Sequence, residues 1–457
     1  MTENTPVITA SDMQRAVQQL KCHKSCGPDG IHAEAVKYGG NLLCIHLTLF
    51  FNMCLSHCYM PTDLLKTTVV PLLKNKSGDL SDINNYRAIA LSNSLSKVIE
   101  KLILDCFQSC DVYDDNHQFG FKKNHSTSLG CAVLKRVIDY YCMNGSYVFA
   151  CFLDISKAFD SVNHRSLFSK LRDLKLPSNM VKLLVYWYAN QSVNVRWKHI
   201  VTGEFLMKNG TRQGSVLSPY LFCVYMRCIS HKLSSSGIGC HIGGISVCVL
   251  LYADDLVILA SSWSAQQQLL NLCVDTVSQL DMKFNGLKSV TMIFKPYKPS
   301  RCVNYSFPVF MLDGCMLSMV HSCKYLGHLI SSSFDDNAEI QRQMGLLYAR
   351  TNILIRRFSR CSRDVKLCLF KTYCGNFYGI ALWDHFNVTV RRKFEAAYVK
   401  CIKMFFGYSR YDSVTGMFAQ LGLPTFSTIV HNEKYKLADC ARHHANIVVK
   451  TVFDICT

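Results

Sequence analysis

The sequence predicts an α+β protein whose first two thirds mix strands with helices and whose last third is helical. Two short, strongly apolar runs, "SYVFACFLD" (146–154) and "VLLYADDLVILA" (249–260), have the length and composition of buried strands. Around them, apolar residues recur at helical spacing. From Asn337 onward, long helical segments rich in Lys and Arg replace the strands, which indicates a domain boundary near residue 335.

Composition favours a globular, basic protein. The 457 residues carry a formal net charge of +18, which favours a polyanionic partner such as nucleic acid or an anionic membrane face. The 24 Cys lack paired CxxC spacing, so we expect reduced core residues. The N-terminus lacks the pattern of a signal peptide, and no membrane span is predicted. We therefore expect an intracellular, soluble protein.

Local patterns predict the elements in order. Ser11 and Gln14 fit a capping box that opens an N-terminal helix, and "GPDG" (27–30) predicts a turn. The helices predicted next are 42–58, which we interpret as buried, 95–107, helices around 165–190, 218–233 and 264–280. The predicted strands are "KTTVVPLLK" (66–74), the two apolar runs, a hairpin at 192–208 and several strands within 283–331.

The chemistry is predicted from three acids beside buried strands. Asp254 and Asp255 interrupt an apolar run, which suggests a buried hairpin with both acids at its tip, although these residues taken alone favour a solvated turn. Asp154 ends another buried strand, where a helix N-cap is the alternative. If the strands are neighbours, the carboxylates can share two divalent cations, because Mg²⁺ prefers carboxylate and phosphate oxygen. Such a site could polymerise or cleave nucleic acid.

Eight ordered motifs then resemble the reverse transcriptases of non-LTR (LINE-type) retrotransposons. They are "GPDGI" (27–31), "VVPLLKNKSGDLSDINNYRAIALSNSLSKVIEKLI" (69–103), "HQFGFKKNHST" (117–127), "FLDISKAFDSVNH" (152–164), "NGTRQGSVLSPYLF" (209–222), "YADD" (252–255), "FNGLKSVTMIF" (284–294) and "CKYLGHLIS" (323–331). The motifs cover roughly residues 20 to 335. One departure is Ala88, where the family commonly has Pro.

The resemblance implies a right-hand polymerase fold with helical fingers, an antiparallel-sheet palm and a helical thumb. The implied domains are the N-terminal extension and fingers (1–145), the palm with a primer-grip-like hairpin (146–335), and the thumb and tail (336–457). The implied activity is RNA-directed DNA synthesis from deoxynucleoside triphosphates on an RNA template and a DNA primer, with two Mg²⁺ ions or Mn²⁺ as a substitute. Nucleus and cytoplasm are both expected locations, and the oligomeric state is left open.

The resemblance also assigns site residues. Asp154, Asp254 and Asp255 match the metal-binding, catalytic carboxylates, with Ile155 as a backbone contributor. The residues matched to nucleotide binding are Lys74, Arg87, Phe159, Gln213, Gly214 and Lys288. Phe159 matches the residue that blocks a ribose 2′-hydroxyl, although spacing alone would favour a core aromatic. The basic thumb residues expected to hold nucleic acid are Arg356, Arg357, Arg360, Arg363 and Lys366.

Two rival functions remain open from the sequence. A domesticated or inactive reverse transcriptase would bind RNA or a hybrid duplex without catalysis. A two-metal nuclease would explain the acids but not the ordered fingers motifs. Within this sequence we also expect no endonuclease domain before the "GPDGI" motif, no RNase H domain and no Cys/His metal cluster, and we interpret His443 and His444 as surface residues. Whether an upstream endonuclease belongs to the same protein is left open.

Overall fold

The computed structural model describes residues 7–109, 115–174, 176–298 and 306–456. The chain forms two compact units. Unit 1 comprises Met1–Asp115, Ile155–His231 and Asp275–Lys283, and unit 2 comprises Asn116–Asp154, Lys232–Val274 and Phe284–Thr457. Within the described residues, no helix is both long enough and apolar enough to cross a membrane.

The α+β class is confirmed. The helices are α1 (Ala10–Gln18), α2 (Ala33–Lys37), α3 (Gly40–His57), α4 (Thr62–Leu65), α5 (Ser94–Ser109), α6 (Thr127–Met143), α7 (His164–Asp173), α8 (Ser178–Asn190), α9 (Ser218–Ser234), α10 (Trp263–Ser278), α11 (Asn337–Phe358), α12 (Arg363–Cys374), α13 (Val388–Phe406), α14 (Val414–Leu421), α15 (Phe426–Arg442) and α16 (Ile447–Ile455). The strands are β1 (Lys66–Leu73), β2 (Tyr86–Ser92), β3 (Val148–Leu153), β4 (Ser192–Trp197), β5 (Ile200–Val201), β6 (Phe205–Leu206), β7 (His241–Ile242), β8 (Ile245–Ser246), β9 (Val249–Tyr252), β10 (Asp255–Ala260), β11 (Val290–Phe294), β12 (Met311–Leu312), β13 (Cys315–Met316), β14 (Ser318–Met319), β15 (Ser322–Tyr325) and β16 (His328–Ser331).

The first helix begins earlier than its sequence pattern predicts. The capping box is formed by Thr9 and Asp12, whose side chains bond each other's backbone N–H groups, so the prediction of Ser11 and Gln14 is wrong. Thr and Asp three residues apart satisfy the same two backbone donors that Ser and Gln would satisfy. Met13, Ala16 and Val17 then form the buried face of α1.

Unit 1 contains a five-stranded sheet in the order β2-β1-β4-β5, with β6 also paired to β4. The β1–β2 pair is antiparallel, whereas β1 and β4 are parallel. A parallel pair requires a long crossover connection, and here more than a hundred residues separate β1 from β4. The predicted strand at 66–74 and the predicted hairpin at 192–208 are confirmed, and the structure makes them neighbours in one sheet.

Unit 2 is built on a second five-stranded sheet in the order β14-β11-β3-β10-β9. All its pairs are antiparallel except β11–β14. Every residue of β3 is buried, because helices and strands cover both faces of this central strand. This sheet carries the three predicted catalytic acids at or just beyond its strand ends.

Two hydrophobic cores lie among the described residues of unit 2. One joins the sheet to α6 and includes Val448, Val449 and Val452 from the C-terminal helix α16. The other lies among α11, α12, α13 and the first turns of α15. The chain therefore returns to the sheet after forming the helical core.

His444 is part of this return. It is 5 % exposed, and its ring packs edge-on against that of His125 at a centroid distance of 4.4 Å. The prediction of a surface residue is wrong for His444 because tertiary packing covers it, whereas His443 is exposed.

Candidate active site

The predicted acidic hairpin is present. Tyr252 pairs with Asp255 across β9 and β10, which leaves Ala253 and Asp254 as a two-residue turn. Ala253 has a φ of +59°, the positive value that primed hairpin turns require at their first position. Its N–H donates to Oε1 of Gln118 at 3.0 Å, so a side chain from outside the hairpin supports the turn.

Gly120 permits this close support. A Cβ atom at Gly120 would lie 2.3 Å from the backbone nitrogen of Ala253, a separation that real side chains do not tolerate. The glycine of the "HQFGF" motif is therefore needed for the approach of residues 118–120 to the acidic turn.

Strand register brings Asp154 to Asp255. Leu153 pairs with Leu256 where β3 and β10 run antiparallel, so Asp154 and Asp255 are the next opposed residues along the two chains. Directly opposed residues of an antiparallel pair project to the same face. Asp154 and Asp255 accordingly line one cavity of about 300 Å³.

A second turn holds the backbone of Asp154. Its N–H donates to Oγ of Ser289 at 3.1 Å, and its carbonyl accepts the N–H of Asn285 at 2.8 Å. The same turn carries Lys288, which lines the cavity with the two acids. Lys324, in the strand β15 of the predicted primer-grip hairpin, lines it as well.

The clustered carboxylates disfavour one another's charge. Removal from bulk water, followed by the negative charges of Asp254 and Asp154, raises the pKa of Asp255 to about 6. Asp255 is nevertheless solvent-exposed. Water therefore screens the repulsion between the carboxylates, and the raised pKa corresponds to only a small loss of stability.

The donor set fits a hard divalent cation. Repulsion among three nearby carboxylates is relieved when a cation binds between them, and carboxylate oxygen is the ligand that Mg²⁺ prefers. Among the residues that the structure describes, no group of three acidic, His or Cys side chains is already arranged around one metal position. The convergence of all three acids on one pair of ions therefore stays a prediction.

The predicted nucleotide-binding residues other than Lys288 belong to unit 1. The ring of Phe159 stacks on Phe222 at a centroid distance of 4.3 Å and an interplanar angle of 16°. Nε2 of Gln213 donates to Oδ1 of Asp160 at 3.1 Å, one residue after Phe159 in the chain. Gly214 has a φ of +106°, which a residue with a side chain rarely adopts.

Lys74 and Arg87 share one face of the β1–β2 hairpin. Arg87 pairs with Leu72, and Lys74 lies two residues beyond Leu72, so alternation directs both cations to the same side. Both side chains are exposed. Nζ of Lys74 donates to the carbonyl of Asn84 at 2.9 Å, which orients it within the hairpin loop.

The basic residues expected to hold nucleic acid lie at the junction of α11 and α12. Arg356, Arg357, Arg360 and Arg363 are exposed. Arg356 and Arg357 suit the C-terminal end of α11, where cations interact favourably with the helix dipole. The dipole does not explain Arg363, which lies in the first turn of α12.

Sequence reasoning did not select Gln118 or Lys324 individually, although both lie within the quoted motifs. Each has an ordinary local pattern, and only contact with the hairpin or the cavity distinguishes it. The side chain of Ile155 is buried, and its part as a backbone contributor stays a prediction.

The comparisons with known proteins agree with this geometry. Residues 73–330, more than half of the chain, match the family model described as reverse transcriptase (RNA-dependent DNA polymerase). The RNA-directed DNA polymerase from mobile element jockey of Drosophila funebris is 24 % identical over 97 % of this chain and 49 % of its own length. The probable RNA-directed DNA polymerase from transposon BS of Drosophila melanogaster gives the same three values. The Pol polyprotein from the type-2 retrotransposable element R2DM of that species is 28 % identical over 70 % of this chain and 30 % of its own length.

A solved structure, apo telomerase from Candida tropicalis truncated from its C-terminal domain, aligns at 10 % identity with a TM-score of 0.41. It covers 64 % of this chain and 60 % of that chain, and this likeness is too weak to support a conclusion. The chain spans about half the length of the first curated relatives that it matches.

The resemblance to non-LTR retrotransposon reverse transcriptases predicted from eight motifs is confirmed by these relatives. The residues that match the family model include both Asp154, at the end of β3, and the acidic hairpin of Asp254 and Asp255. This chain belongs to the reverse transcriptase (RNA-dependent DNA polymerase) family.

Proposed function

We propose that this chain is the RNA-directed DNA polymerase of a non-LTR retrotransposon. It adds deoxynucleotides to the 3′ end of a DNA primer on an RNA template. The observation that carries this proposal is the opposition of Asp154 and Asp255 across β3 and β10, with Asp254 adjacent and Lys288 in the same cavity.

The cofactor belongs to the proposal. Asp154, Asp254 and Asp255, with the backbone carbonyl of Ile155, would hold two Mg²⁺ ions, with Mn²⁺ as a substitute. Two bound ions would stabilise the attacking and leaving oxygens of an in-line phosphoryl displacement. The carboxylates repel one another when all three are ionised, and a bound cation would relieve that repulsion. The three acids are therefore suited to bind the divalent cations that accompany a nucleoside triphosphate.

The remaining roles fall to side chains already described. Lys288 neutralises or protonates the departing pyrophosphate, since this lysine lines the cavity of the acids. Lys74 and Arg87 neutralise the incoming triphosphate. The Phe159 ring excludes a 2′-hydroxyl, Gln213 and Gly214 pack on the nascent base pair, and the basic junction of α11 and α12 holds the primer–template backbone.

The domain roles are proposed with the activity. Residues 1–145 supply the N-terminal extension and fingers, 146–335 the palm, and 336–457 the thumb and tail. RNA, primer and deoxynucleoside triphosphates are the proposed partners, which implies action inside the cell, in the nucleus or the cytoplasm.

Asp255→Asn tests the proposal. Extension of an oligo(dT) primer on poly(rA) with Mg²⁺ should fall at least a thousandfold, because the variant lacks one metal-binding charge. Thermal unfolding in the absence of divalent ions should occur at the same or a higher temperature than in the wild type, because a repelled charge is removed. Binding to the hybrid duplex should persist, because phosphate contacts supply most of that affinity.

Asp313→Asn is the matched control. Asp313 is an exposed acid in another hairpin turn of unit 2 and has a φ of +49°, which Asn tolerates. This variant should extend primers at the wild-type rate. If the wild-type chain binds the duplex but does not extend the primer, the inactive, nucleic-acid-binding alternative is supported instead. If Asp255→Asn synthesises DNA at the wild-type rate, the assigned metal site is excluded.

A further inference from the structure

A buried ion pair lies beneath the loop that carries Gln213 and Gly214. Glu100 on α5 and Arg212 are 1 % and 3 % exposed, and Nη2 of Arg212 donates to Oε1 of Glu100. Removing two charges from water costs several kcal/mol per ion before their attraction repays it. A pair of this kind contributes little net stability compared with apolar residues, so its position calls for another explanation.

The pair holds the loop at two points. The second carboxylate oxygen of Glu100 accepts the backbone N–H of Val216 at 2.7 Å. Nη1 of Arg212 lies 3.4 Å from Oγ1 of Thr67 on β1, and the guanidinium lies 4.8 Å from the ring centre of Trp187 on α8. Glu100 therefore binds both sides of the Gln213–Gly214 segment, and Arg212 ties that segment to the sheet of unit 1.

The same loop touches the other predicted nucleotide-binding elements of unit 1. The N–H of Thr211 donates to the carbonyl of Phe159 at 2.8 Å. The carbonyl of Gln213 accepts the N–H of Ala90 at 2.8 Å, on the strand β2 that carries Arg87. A Cβ atom at Gly214 would lie 3.2 Å from the carbonyl oxygen of Ala90. Displacement of this loop would therefore shift Phe159, Gln213 and the Arg87 strand together.

We infer that the Glu100–Arg212 pair is a positioning device that sets the geometry of the nucleotide-binding residues of unit 1. This inference rests on the proposed polymerase function and assigns residues that touch neither substrate nor metal in that proposal. Glu100 and Arg212 act through the loop: they hold Thr211, Gln213 and Val216 in one conformation.

The test replaces both charges at once. Removing one partner would leave an unpaired buried charge and threaten folding, whereas replacing both with apolar residues of similar volume is often neutral for stability. Glu100→Met/Arg212→Met should therefore fold, with an unfolding temperature near that of the wild type. It lacks the acceptor for the Val216 N–H and the guanidinium contact with Thr67.

We expect the KM for deoxynucleotide to rise about tenfold in this variant while kcat changes less than threefold. The ratio of kcat/KM for deoxynucleotide to that for ribonucleotide should fall, because Thr211 no longer holds the Phe159 turn as firmly. Arg212→Lys keeps the charge but has a single nitrogen in place of the two that reach Glu100 and Thr67, so it should give intermediate values. The control is Lys101→Met/Asp105→Met, which removes an ion pair of 2.8 Å from the same helix α5 without touching the loop.

Amide hydrogen exchange provides a readout that needs no activity. Exchange at Ala90, Thr211 and Val216 should accelerate more than tenfold in Glu100→Met/Arg212→Met and remain at wild-type rates in the control. Unchanged exchange at these amides, or faster exchange with an unchanged KM and sugar ratio, would overturn the inference. If the wild-type chain extends no primer, the proposed polymerase function is wrong. Amide hydrogen exchange at Ala90, Thr211 and Val216 would still show whether the Glu100–Arg212 pair fixes the loop.

Discussion

At the scale of single residues, Phe159 shows how local contacts make a side chain rigid. Its ring lies flat against Phe222, which is fully buried in α9, and its carbonyl accepts the N–H of Thr211. Ring stacking and a fixed backbone together restrict the positions that the ring can occupy. A rigid ring can exclude a 2′-hydroxyl by clash, a kind of discrimination that requires no better contact with the correct sugar.

Phe159→Val should therefore open space for a ribonucleotide. We expect the ratio of kcat/KM for ribonucleotide to that for deoxynucleotide to rise at least tenfold on one RNA template, with a modest loss of total rate from reduced packing. Phe168→Val is the control, because Phe168 is also a packed aromatic of unit 1 but contacts His164 and Tyr188 instead. A lowered rate with an unchanged ratio would show that Phe159 is only a core aromatic.

At the scale of elements, a buried polar network ties α6 to the start of α11. Nζ of Lys135 lies 2.7 Å from Oδ1 of Asp336 and 2.5 Å from the carbonyl of Leu382. Oδ2 of Asp336 accepts the N–H groups of Asp384 and His385 at 2.9 and 3.2 Å. The Lys135–Asp336 network therefore connects the core of the sheet with the helical core of unit 2.

Asp336 should make stability fall in acid. Burial opposes its ionisation, but the adjacent His328 and the Lys135 ammonium outweigh burial and lower the pKa of Asp336 to about 2. A carboxylate with a lowered folded-state pKa contributes stability above its unfolded-state pKa near 4, and that contribution disappears as the pH falls through about 2. The full contribution is about 2.5 kcal/mol, since each unit by which the pKa is lowered corresponds to ~1.4 kcal/mol.

The measurement is the unfolding free energy of wild type and Asp336→Asn between pH 5 and pH 2. The wild type should lose about 2 kcal/mol more than the variant over this range, although the variant is less stable at pH 7 because Lys135 is left unpaired. Asp313→Asn should follow the wild-type pH dependence. Parallel curves for Asp336→Asn and the wild type would mean that the pair carries no such linkage.

At the scale of the whole molecule, the formal charge of +18 favours binding to phosphates. The junction of α11 and α12 concentrates exposed arginines, and the helix dipole does not account for Arg363 at the start of α12. These features support a role for the junction in holding primer–template duplex without sequence preference.

A variant with four alanines at the junction, Arg356→Ala/Arg357→Ala/Arg360→Ala/Arg363→Ala, should bind the hybrid duplex more weakly. The salt dependence of its binding should also be less steep. Each lost phosphate contact reduces the slope of log K against log salt by roughly 0.9 for B-form DNA and by a similar amount for a hybrid, so a change of about two to four is expected. Fluorescence anisotropy between 50 and 300 mM salt measures both quantities. The control is Lys434→Ala/Lys436→Ala, which should leave the slope unchanged because Asp384 and Glu433 already pair with these lysines. An unchanged slope in the arginine variant would show that the junction of α11 and α12 does not bind the duplex.

Local patterns identified most elements and the candidate acids. The hairpin at Asp254 and Asp255 and the strand before Asp154 depend on short apolar runs, which sequence displays directly. The start of α1 was misplaced because several polar residues near Thr9 could cap the helix, and only backbone geometry selects one of them.

By itself, the sequence determined the α+β class, the family and the position of the acids beside strand ends, because these depend on periodicity, turn chemistry and ordered motifs. Tertiary structure alone decided the register that opposes Asp154 to Asp255, the burial of His444 against His125 and the pairing of Glu100 with Arg212. Each of these contacts joins residues about a hundred or more positions apart. Nothing in the immediate neighbourhood of such a residue specifies its partner, because the partner is chosen by how sheets and helices pack into a common core.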